Sequence, residues 1–331
     1  MSLCRAARGP RGKHMEKKTD RLFTLALLVT GAALLASCGG GSGSSGGTGV
    51  LNLGLTDSPT DDAQQVVIQF SGIEVKREGA SPQMFTLSPS PRQFDLLQYQ
   101  AGRTALLLNN VMLDAGHYEW VRLIVDNTAN VRDSYVVLKD GSECELRIPS
   151  GAESGLKLNR GFTIAADGSV ALTIDFDLRQ SLRAPPGQQG NGVNCTQGYM
   201  LRPVLRLVDN ANVGAIAGTV SFDAGAVPAN CLPKVYIYEG AVTPDDVEDT
   251  TAAMPDVDPL VVAGVDIPAG ATSGTYQAAF LPVGTYTTAF TCDEDTTADE
   301  VLAFVPAAGI PAIVQNNLIT TVDFAVPAPA P

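Results

Sequence analysis

The chain contains 331 residues, 33 of them glycine and 21 proline, and only 6% are aromatic. Its 35 acidic residues outnumber its 22 Lys and Arg residues, which gives a formal net charge of −13 at pH 7. Acidity on this scale argues against a nucleic-acid-binding protein and against adhesion of the folded body to anionic lipid, because both need a positively charged surface.

The amino-terminal segment has the composition of an export signal. The basic residues Lys17, Lys18 and Arg21 precede an uncharged apolar run over residues 22–36, which is too short to span a membrane. We expect Met15 to be the true start, because the basic region then has the usual length for a signal peptide.

The apolar run ends in the letters LASC, and this ending resembles the lipobox of bacterial lipoproteins. The resemblance implies that residues 1–37 are removed and that Cys38 is acylated, since two or more acyl chains make a stable anchor. It also implies the outer membrane, because residue 39 is glycine and not aspartate. Residues 38–49 are then the lipidated cysteine and a flexible Gly/Ser tether.

Residues 50–209 predict a first β-sandwich domain, because apolar runs of strand length alternate with turn residues. The proposed strands are VLNLGL, QVVIQFSGIEVK, FDLLQY, HYEWVRLIVD, SYVVLKD, CELRIP, VALTIDFDL and YMLRPVLRLVD. The stretch GRTALLLNNVML, residues 102–113, fits either a short helix or another strand.

The clearest strand is VALTIDFDL, residues 170–178. Its apolar members lie on one face, and these are Leu172, Ile174, Phe176 and Leu178. Thr173, Asp175 and Asp177 lie on the other face. This alternation predicts a sheet with one buried and one wet side.

A polar, turn-rich link at residues 210–212 separates a second predicted sandwich at residues 213–326, which is followed by a Pro/Ala tail at 327–331. The proposed strands are GAIAGTVSF, KVYIYEG, TYQAAFLP, GTYTTAFTC, EVLAFVP and LITTVDFAV. At the turn before the fourth strand, we expect Pro282 to fix φ, Gly284 to adopt a positive φ, and Tyr286 to point inward.

The two halves share a short Gly-x-Tyr sequence at the start of a strand. It lies at Gly116–Tyr118 in the first half and at Gly284–Tyr286 in the second. The shared sequence suggests that the two sandwiches are built alike.

Two family resemblances follow from these stretches. LTDSPTDDAQQVVIQFSGIEV, IPSGAESGLKL, LTIDFDLRQSL and YMLRPVLRLVD resemble the domain of unknown function 4382 family, which implies an exported, anchored β-sandwich and no activity. GAIAGTV, AFLPVGTY and TTVDF resemble transthyretin-like, carboxypeptidase-regulatory-like domains, which implies a spacer or a carbohydrate contact.

Four cysteines follow the lipobox, and they are Cys144, Cys195, Cys231 and Cys292. Their spacing does not match a metal site, and an exported chain meets an oxidising compartment, so two disulfides are expected. We predict the pairs Cys144–Cys195 and Cys231–Cys292, because each pair then lies within one proposed domain.

No cofactor is expected, and calcium is the one candidate ion. Asp57, Asp61 and Asp62 cluster in one loop, and calcium prefers several carboxylates on a flexible segment. Two further acidic groups are Asp245, Asp246, Glu248 and Asp249, and Asp293, Glu294 and Asp295. Because none matches an EF-hand loop, we interpret all three as solvated acidic loops and keep calcium at Asp57, Asp61 and Asp62 as a hypothesis.

Two residues are candidates for chemistry or for sugar contact. His117 is the one histidine after the lipobox, and no nucleophile-elbow sequence accompanies it, so a catalytic role is not predicted. Trp120 shares a strand face with Arg122 and Ile124, the less apolar face, yet a tryptophan in or beside the sandwich core is the preferred interpretation.

The sequence therefore predicts a non-enzymatic, lipid-anchored cell-envelope protein that acts as a binding or structural module. Its expected partners are the membrane, through Cys38, and a glycan or another envelope protein; nucleic acid is not expected. The first alternative is a carbohydrate-binding surface lipoprotein. The second is a hydrolase built on carboxylates alone, which would need two Asp or Glu residues converging in a cleft.

Overall fold

The computed structural model describes residues 46–57, 63–126, 132–149, 155–184, 195, 198–223, 225, 227–247, 257–295 and 301–328. Within these ranges the chain is almost entirely β-strand, which confirms the all-β prediction. Residues Ser45–Pro331 form one compact unit.

The first sandwich consists of the strands that precede residue 210. They are β1 Thr48–Asp57, β2 Ala63–Arg77, β3 Gln83–Thr86, β4 Arg92–Asp95, β5 Ala105–Asp114, β6 Gly116–Val125, β7 Tyr135–Leu138, β8 Glu143–Arg147, β9 Leu156–Leu158, β10 Phe162–Ile164, β11 Ser169–Phe176, β12 Leu182–Arg183, β13 Tyr199–Leu201 and β14 Leu205–Asp209. A one-turn helix, α1, spans Leu178–Ser181, and a 3-10 turn spans Leu96–Gln98.

Sheet 1 has the strand order β14-β11-β1-β5, and the other strands of this group form the larger sheet 2 around β2. Strand β1 lies inside sheet 1, parallel to β11 and antiparallel to β5. Its residues Leu51, Leu53 and Leu55 are fully buried and face sheet 2, as period-2 alternation requires.

The undecided stretch at residues 102–113 is a strand, since β5 covers Ala105–Asp114. Two predicted strands end early. FDLLQY turns into the 3-10 helix after Asp95, and VALTIDFDL ends at Phe176, so that Leu178 enters the core from α1 instead.

The outer face of β11 is not wet, so that part of the prediction is wrong. Thr173 and Asp175 are only 1% and 7% exposed, respectively. The Thr173 hydroxyl lies 2.9 Å from the Asn210 side-chain oxygen, and Asp175 forms an ion pair with Arg206. Asp175 also lines a cleft against strands of the second sandwich, and a single strand's alternation cannot foresee that cover.

The second sandwich consists of the strands that follow residue 212. They are β15 Val213–Phe222, β16 Lys234–Glu239, β17 Val261–Gly264, β18 Ser273–Pro282, β19 Gly284–Thr291, β20 Val305–Val314, β21 Ile319–Thr321 and β22 Phe324–Val326. Sheet 3 has the order β18-β15-β21, with β22 also pairing with β15, and sheet 4 has the order β17-β16-β19-β20.

The core of the second sandwich lies between sheets 3 and 4 and includes Val235, Ile237 and Phe290. The predicted strand EVLAFVP is wrong, because no strand covers residues 301–304 and β20 begins at Val305. Tyr286 points into the core as expected. Gly284 does not have a positive φ; the residue of this region that does is Phe280, at 57°.

Both edges of sheet 1 are protected by arginines. The Arg92 guanidinium donates to the Leu106 carbonyl of edge strand β5 at 3.4 Å, and Arg160 donates to the Leu207 carbonyl of edge strand β14 at 2.9 Å. Exposed strand edges invite pairing with other chains. The two arginines therefore oppose uncontrolled edge-to-edge association.

The two disulfides are Cys144–Cys195 and Cys231–Cys292, as predicted. Each lies within one sandwich, and among the described strands no pairing joins sheets 1 and 2 to sheets 3 and 4. That the two sandwiches are separate domains able to fold alone stays a prediction.

Candidate functional site

A buried ion pair joins the two sandwiches. The Arg179 side chain of α1 is 6% exposed and its Nη1 lies 3.5 Å from a carboxylate oxygen of Asp295, whose side chain is 0% exposed. The same nitrogen donates to the Asp295 carbonyl at 3.2 Å, and the Tyr236 hydroxyl donates to the Asp295 carboxylate. A buried, multiply bonded pair of this kind fixes geometry strongly.

Local structure presents both partners of this pair. Helix α1 begins after Asp177, whose carboxylate accepts from the Gln180 backbone N–H at 3.1 Å and caps the helix. Asp295 follows β19, and the Leu232 N–H donates to the Cys292 carbonyl at 2.8 Å beside the Cys231–Cys292 disulfide. The disulfide therefore holds the start of the segment that carries Asp295.

A cleft of about 950 Å³ lies between the sandwiches and is our candidate functional site. One wall comes from the first sandwich, with Thr56, Asp175 and the loop at residues 100–103. The other comes from β15, β17, β18 and the segment around Asp323 in the second sandwich. Its volume lies within the range of ligand-binding pockets, about 300–1,000 Å³.

The loop at residues 100–103 is fixed on both sides. The Thr56 hydroxyl lies 2.8 Å from the Tyr99 carbonyl oxygen and 3.0 Å from that of Arg103. Gly102 has a φ of 79°, and a Cβ there would lie 2.9 Å from the Gln277 amide nitrogen of β18. The positive φ favours glycine, and the Ala279 side chain 3.1 Å from such a Cβ leaves little room for a larger residue, so Gly102 lets the loop lie against the second sandwich.

Two carboxylates of the cleft have structural partners. Arg206 binds Asp175 through Nε at 3.1 Å and through a second nitrogen; burial raises the pKa of Asp175, and the guanidinium opposes that shift. Asp323 accepts from the Thr219 N–H at 2.7 Å and from its hydroxyl at 2.8 Å, and these bonds lower the pKa of Asp323. Asp323 is therefore ionised at neutral pH.

Phe280 lines the cleft in an unusual conformation. The register between β15 and β18 shifts: Gly214 pairs with Leu281, but Ile216 pairs with Ala278. Ala279 and Phe280 therefore form a β-bulge opposite Ala215. A positive φ is rare for a bulky side chain and is a backbone outlier. Simple alternation after Tyr276 and Ala278 would put Phe280 in the core, and the bulge gives that place to Leu281.

Of the predicted site residues, the four disulfide cysteines are brought together in their two pairs, and only Asp57 of the proposed calcium ligands is described. Asp57, at the end of β1, is buried and lines the cleft, whereas Asp61, Asp62 and Cys38 lie outside the described residues. Within the described ranges, no group of three or more His, Cys, Asp or Glu side chains is arranged to hold a metal ion. Calcium at Asp57, Asp61 and Asp62 stays a prediction.

The other acidic groups are only partly solvated loops. Asp246 and Asp295 are buried, so for these two residues the solvated interpretation is wrong; Glu248 and Asp249 lie outside the described residues. Asp293 accepts from the Ala303 N–H at 2.6 Å. The sequence carries no signal that singles out Asp295, because its partner Arg179 is 116 residues away.

His117 and Trp120 lie on β6, away from the cleft lining. His117 is exposed, and its Nδ1 is 3.4 Å from the Thr163 hydroxyl. Trp120 is half-buried on the outer face, with the Arg122 guanidinium and the Lys157 ammonium 4.8 and 4.7 Å from its ring centroid. Trp120 therefore lies outside the core, and cations pack against its ring.

Residues 48–203 match the model of the family described as "Domain of unknown function (DUF4382)", which confirms that resemblance. No curated protein matches the chain. Among the described residues, no helix has the length and apolar character needed to cross a membrane.

Three solved structures illustrate the structural comparison. A leucine-rich repeat protein of Bacteroides thetaiotaomicron is 13% identical, with 85% of this chain and 26% of that chain covered and a TM-score of 0.21. A candidate cell adhesion protein of Bacteroides fragilis is 9% identical, with 85% of this chain and 94% of that chain covered and a TM-score of 0.21. The major pilin of Streptococcus pyogenes is 9% identical, with 85% of this chain and 98% of that chain covered and a TM-score of 0.16. This chain thus spans about a quarter of the first of them. Such low TM-scores support no argument about fold or function.

Proposed function

We propose that this protein is a lipid-anchored module of the bacterial cell envelope. It acts by binding a ligand or as a structural spacer, and not by catalysis. The observation that carries the proposal is the buried contact of Arg179 with Asp295, which ties two sandwiches into one body and leaves a cleft of ligand size between them. A rigid body on a flexible tether suits a binding or spacing role.

The anchor is supported by the lipobox sequence that ends at Cys38. We expect Cys38→Ser to release the protein from the membrane fraction, because the acyl chains supply the membrane affinity. Mass spectrometry of the mature amino terminus identifies the modification. Ser44→Ala is the control, since Ser44 lies in the tether just after Cys38 and has no place in the lipobox. Unchanged membrane association of an unacylated Cys38→Ser protein would refute the anchor.

The binding role is supported by the arrangement of the cleft. Photo-cross-linking of the anchored protein in its own envelope, with a photoreactive amino acid at Thr275 or Gln277 of the cleft wall or, as a control, at Trp120, followed by mass spectrometry, should recover contacts at the cleft-wall positions. Recovery of contacts that avoid this wall altogether would argue that the body is only a spacer.

The hydrolase alternative has weaker support. Asp175 is held by Arg206 and Asp323 by Thr219, so two of the four aspartates that line the cleft have structural partners. A glycosidase needs one carboxyl free to donate a proton and another free to attack or activate water. Asp175→Asn should therefore lower stability, and turnover of a glycoside that this variant abolishes would favour the hydrolase.

A further inference from the structure

We propose that the cleft binds a neutral glycan chain, with Phe280 as the aromatic surface on which a sugar ring rests. This inference rests on the proposed binding function and names its ligand class. It is carried by four observations: the isolation of Phe280, the bulge that places it, the small side chains of the cleft lining and the charge of that lining.

Phe280 is set apart from most other aromatic residues of the fold. Of the described aromatic side chains, only Trp120, Tyr135 and Phe280 belong to none of the three apolar clusters. Trp120 has cations against its ring, and Tyr135 does not line the cleft. Phe280 thus combines a place in the cleft with an aromatic ring that the core does not use.

The bulge at Ala279 and Phe280 has two consequences for the ligand. A β-bulge re-aims a side chain, and here it takes Phe280 out of the core alternation. It also interrupts the regular edge of β18. An added peptide strand needs an unbroken ladder of N–H and C=O groups, so this edge does not suit one. The same irregularity therefore favours a ring-shaped ligand over an extended peptide.

The lining of the cleft that contains Phe280 is small and polar. Ala217, Thr219 and Ala279 line the cleft without long side chains, which leaves room for a sugar ring to approach. Thr275, Gln277 and Arg103 offer hydroxyl, amide and guanidinium groups that can exchange hydrogen bonds with sugar hydroxyls.

The charge of the lining decides between glycan classes. Asp57, Asp175, Asp266 and Asp323 line the cleft; Arg206 compensates the charge of Asp175, and Arg103 is the cation among the lining residues. An acidic cleft repels uronic acids, sulfated sugars and phosphate groups. A neutral chain is the glycan class that this lining accepts.

The test uses the full chain carrying Cys38→Ser, titrated by calorimetry with cellohexaose, xylohexaose, chitohexaose and maltohexaose, and with hexagalacturonate as a charged probe. We expect at least one neutral hexasaccharide to bind with a dissociation constant below about 1 mM, and hexagalacturonate not to bind. Phe280→Leu keeps an apolar side chain of similar size and removes the ring, so it should weaken binding about tenfold. Trp120→Leu is the matched control and should leave the affinity unchanged.

Two outcomes would overturn the proposal. One is that no neutral hexasaccharide binds; the other is that Trp120→Leu, and not Phe280→Leu, abolishes binding. If Phe280→Leu fails to fold, Gln277→Ala and Phe280→Gly replace it, since glycine accepts the positive φ without strain. Fractionation of Cys38→Ser does not depend on any glycan, so failure of the ligand class can be distinguished from failure of the anchored-module proposal.

Discussion

The two Gly-x-Tyr turns share one hydrogen bond in two different sandwiches, although Gly116 has a φ of 146° and Gly284 does not have a positive φ. The Tyr118 hydroxyl donates to the Asp114 carbonyl at 2.9 Å, and the Tyr286 hydroxyl donates to the Pro282 carbonyl at 2.7 Å, four residues back in each case. Both turns also lie where the chain leaves one sheet of a sandwich and enters the other. The motif therefore stabilises the corner where the chain passes from one sheet to the other. It does not determine the structure of the two sheets that it connects.

The surroundings of the two tyrosines do differ. Tyr118 stacks on Phe162 with ring centroids 5.0 Å apart, and Arg77 opposes the increase in its pKa that burial causes. Tyr286 lies in the core of the second sandwich, where burial raises the pKa of Tyr286 to about 12. The corners thus stabilise each sandwich separately, whereas the buried Arg179–Asp295 pair is the joint between the two sandwiches.

The largest effect is expected at the joint. Arg179→Ala removes the positive charge that lies 3.5 Å from the buried Asp295 carboxylate, and we expect a loss of about 3–5 kcal/mol in the free energy of unfolding. Arg132→Ala is the control, because its pair with Glu143 is exposed and should contribute about 0–1 kcal/mol. Chemical denaturation of both variants measures the difference. Equal losses would show that the joint is no stronger than a surface pair.

Removal of a disulfide is expected to have the second-largest effect. The loops closed by Cys144–Cys195 and Cys231–Cys292 span 51 and 61 residues, so chain entropy predicts a similar loss for each, about 2–4 kcal/mol. We expect the second sandwich to be more sensitive in practice, since its core cluster is the smaller one. Double Cys→Ala variants, followed by hydrogen exchange in each sandwich, would test this order.

The corner bonds come next. Tyr118→Phe and Tyr286→Phe each remove one hydrogen bond while keeping the ring, and we expect each to cost about 1 kcal/mol. Tyr135→Phe controls for the loss of a hydroxyl outside the corners. A cost at only one of the two corners would show that the shared sequence does not have a shared role.

The last expected effect appears only at alkaline pH. The pKa of Tyr286 is about 12 in the folded protein and about 10 in an unfolded chain, so folding favours the neutral phenol. Its contribution is complete below pH 10 and is lost as the pH rises towards 12. Thermal unfolding between pH 9 and 12 should fall less steeply for Tyr286→Phe than for the wild type, and parallel curves would contradict this assignment.

Sequence patterns predicted the fold well where one strand's alternation settles the matter. Leu51, Leu53 and Leu55 are buried as period 2 requires. The patterns failed where a second element intervenes: the second sandwich helps cover Asp175, and a bulge moves Phe280 out of the core alternation. Strand β20 was not predicted because its sequence, VPAAGIPAIV, contains two prolines, which cannot donate a hydrogen bond to a β-ladder. They are tolerated because β20 lies at the edge of its sheet.

The candidate site was harder to predict than the fold. Its walls come from segments that are more than 100 residues apart in sequence, such as Thr56 and Gln277. The cysteine pairs could be predicted because the residues are few and each pair lies in one sandwich. Arg179 and Asp295 carry no comparable signal, because a buried charge has the same letter as an exposed one.

The interior position of β1 has a mechanical consequence. A force applied through the amino terminus acts along this strand, which is paired on one side with β11 from Val50 to Asp57 and on the other with β5. The hydrogen bonds of both edges are then loaded in shear and must yield together, whereas an edge strand would peel away bond by bond. Resistance to forced unfolding depends on the unfolding rate. A force on the amino terminus should therefore unfold this sheet more slowly than a force on one of its edge strands.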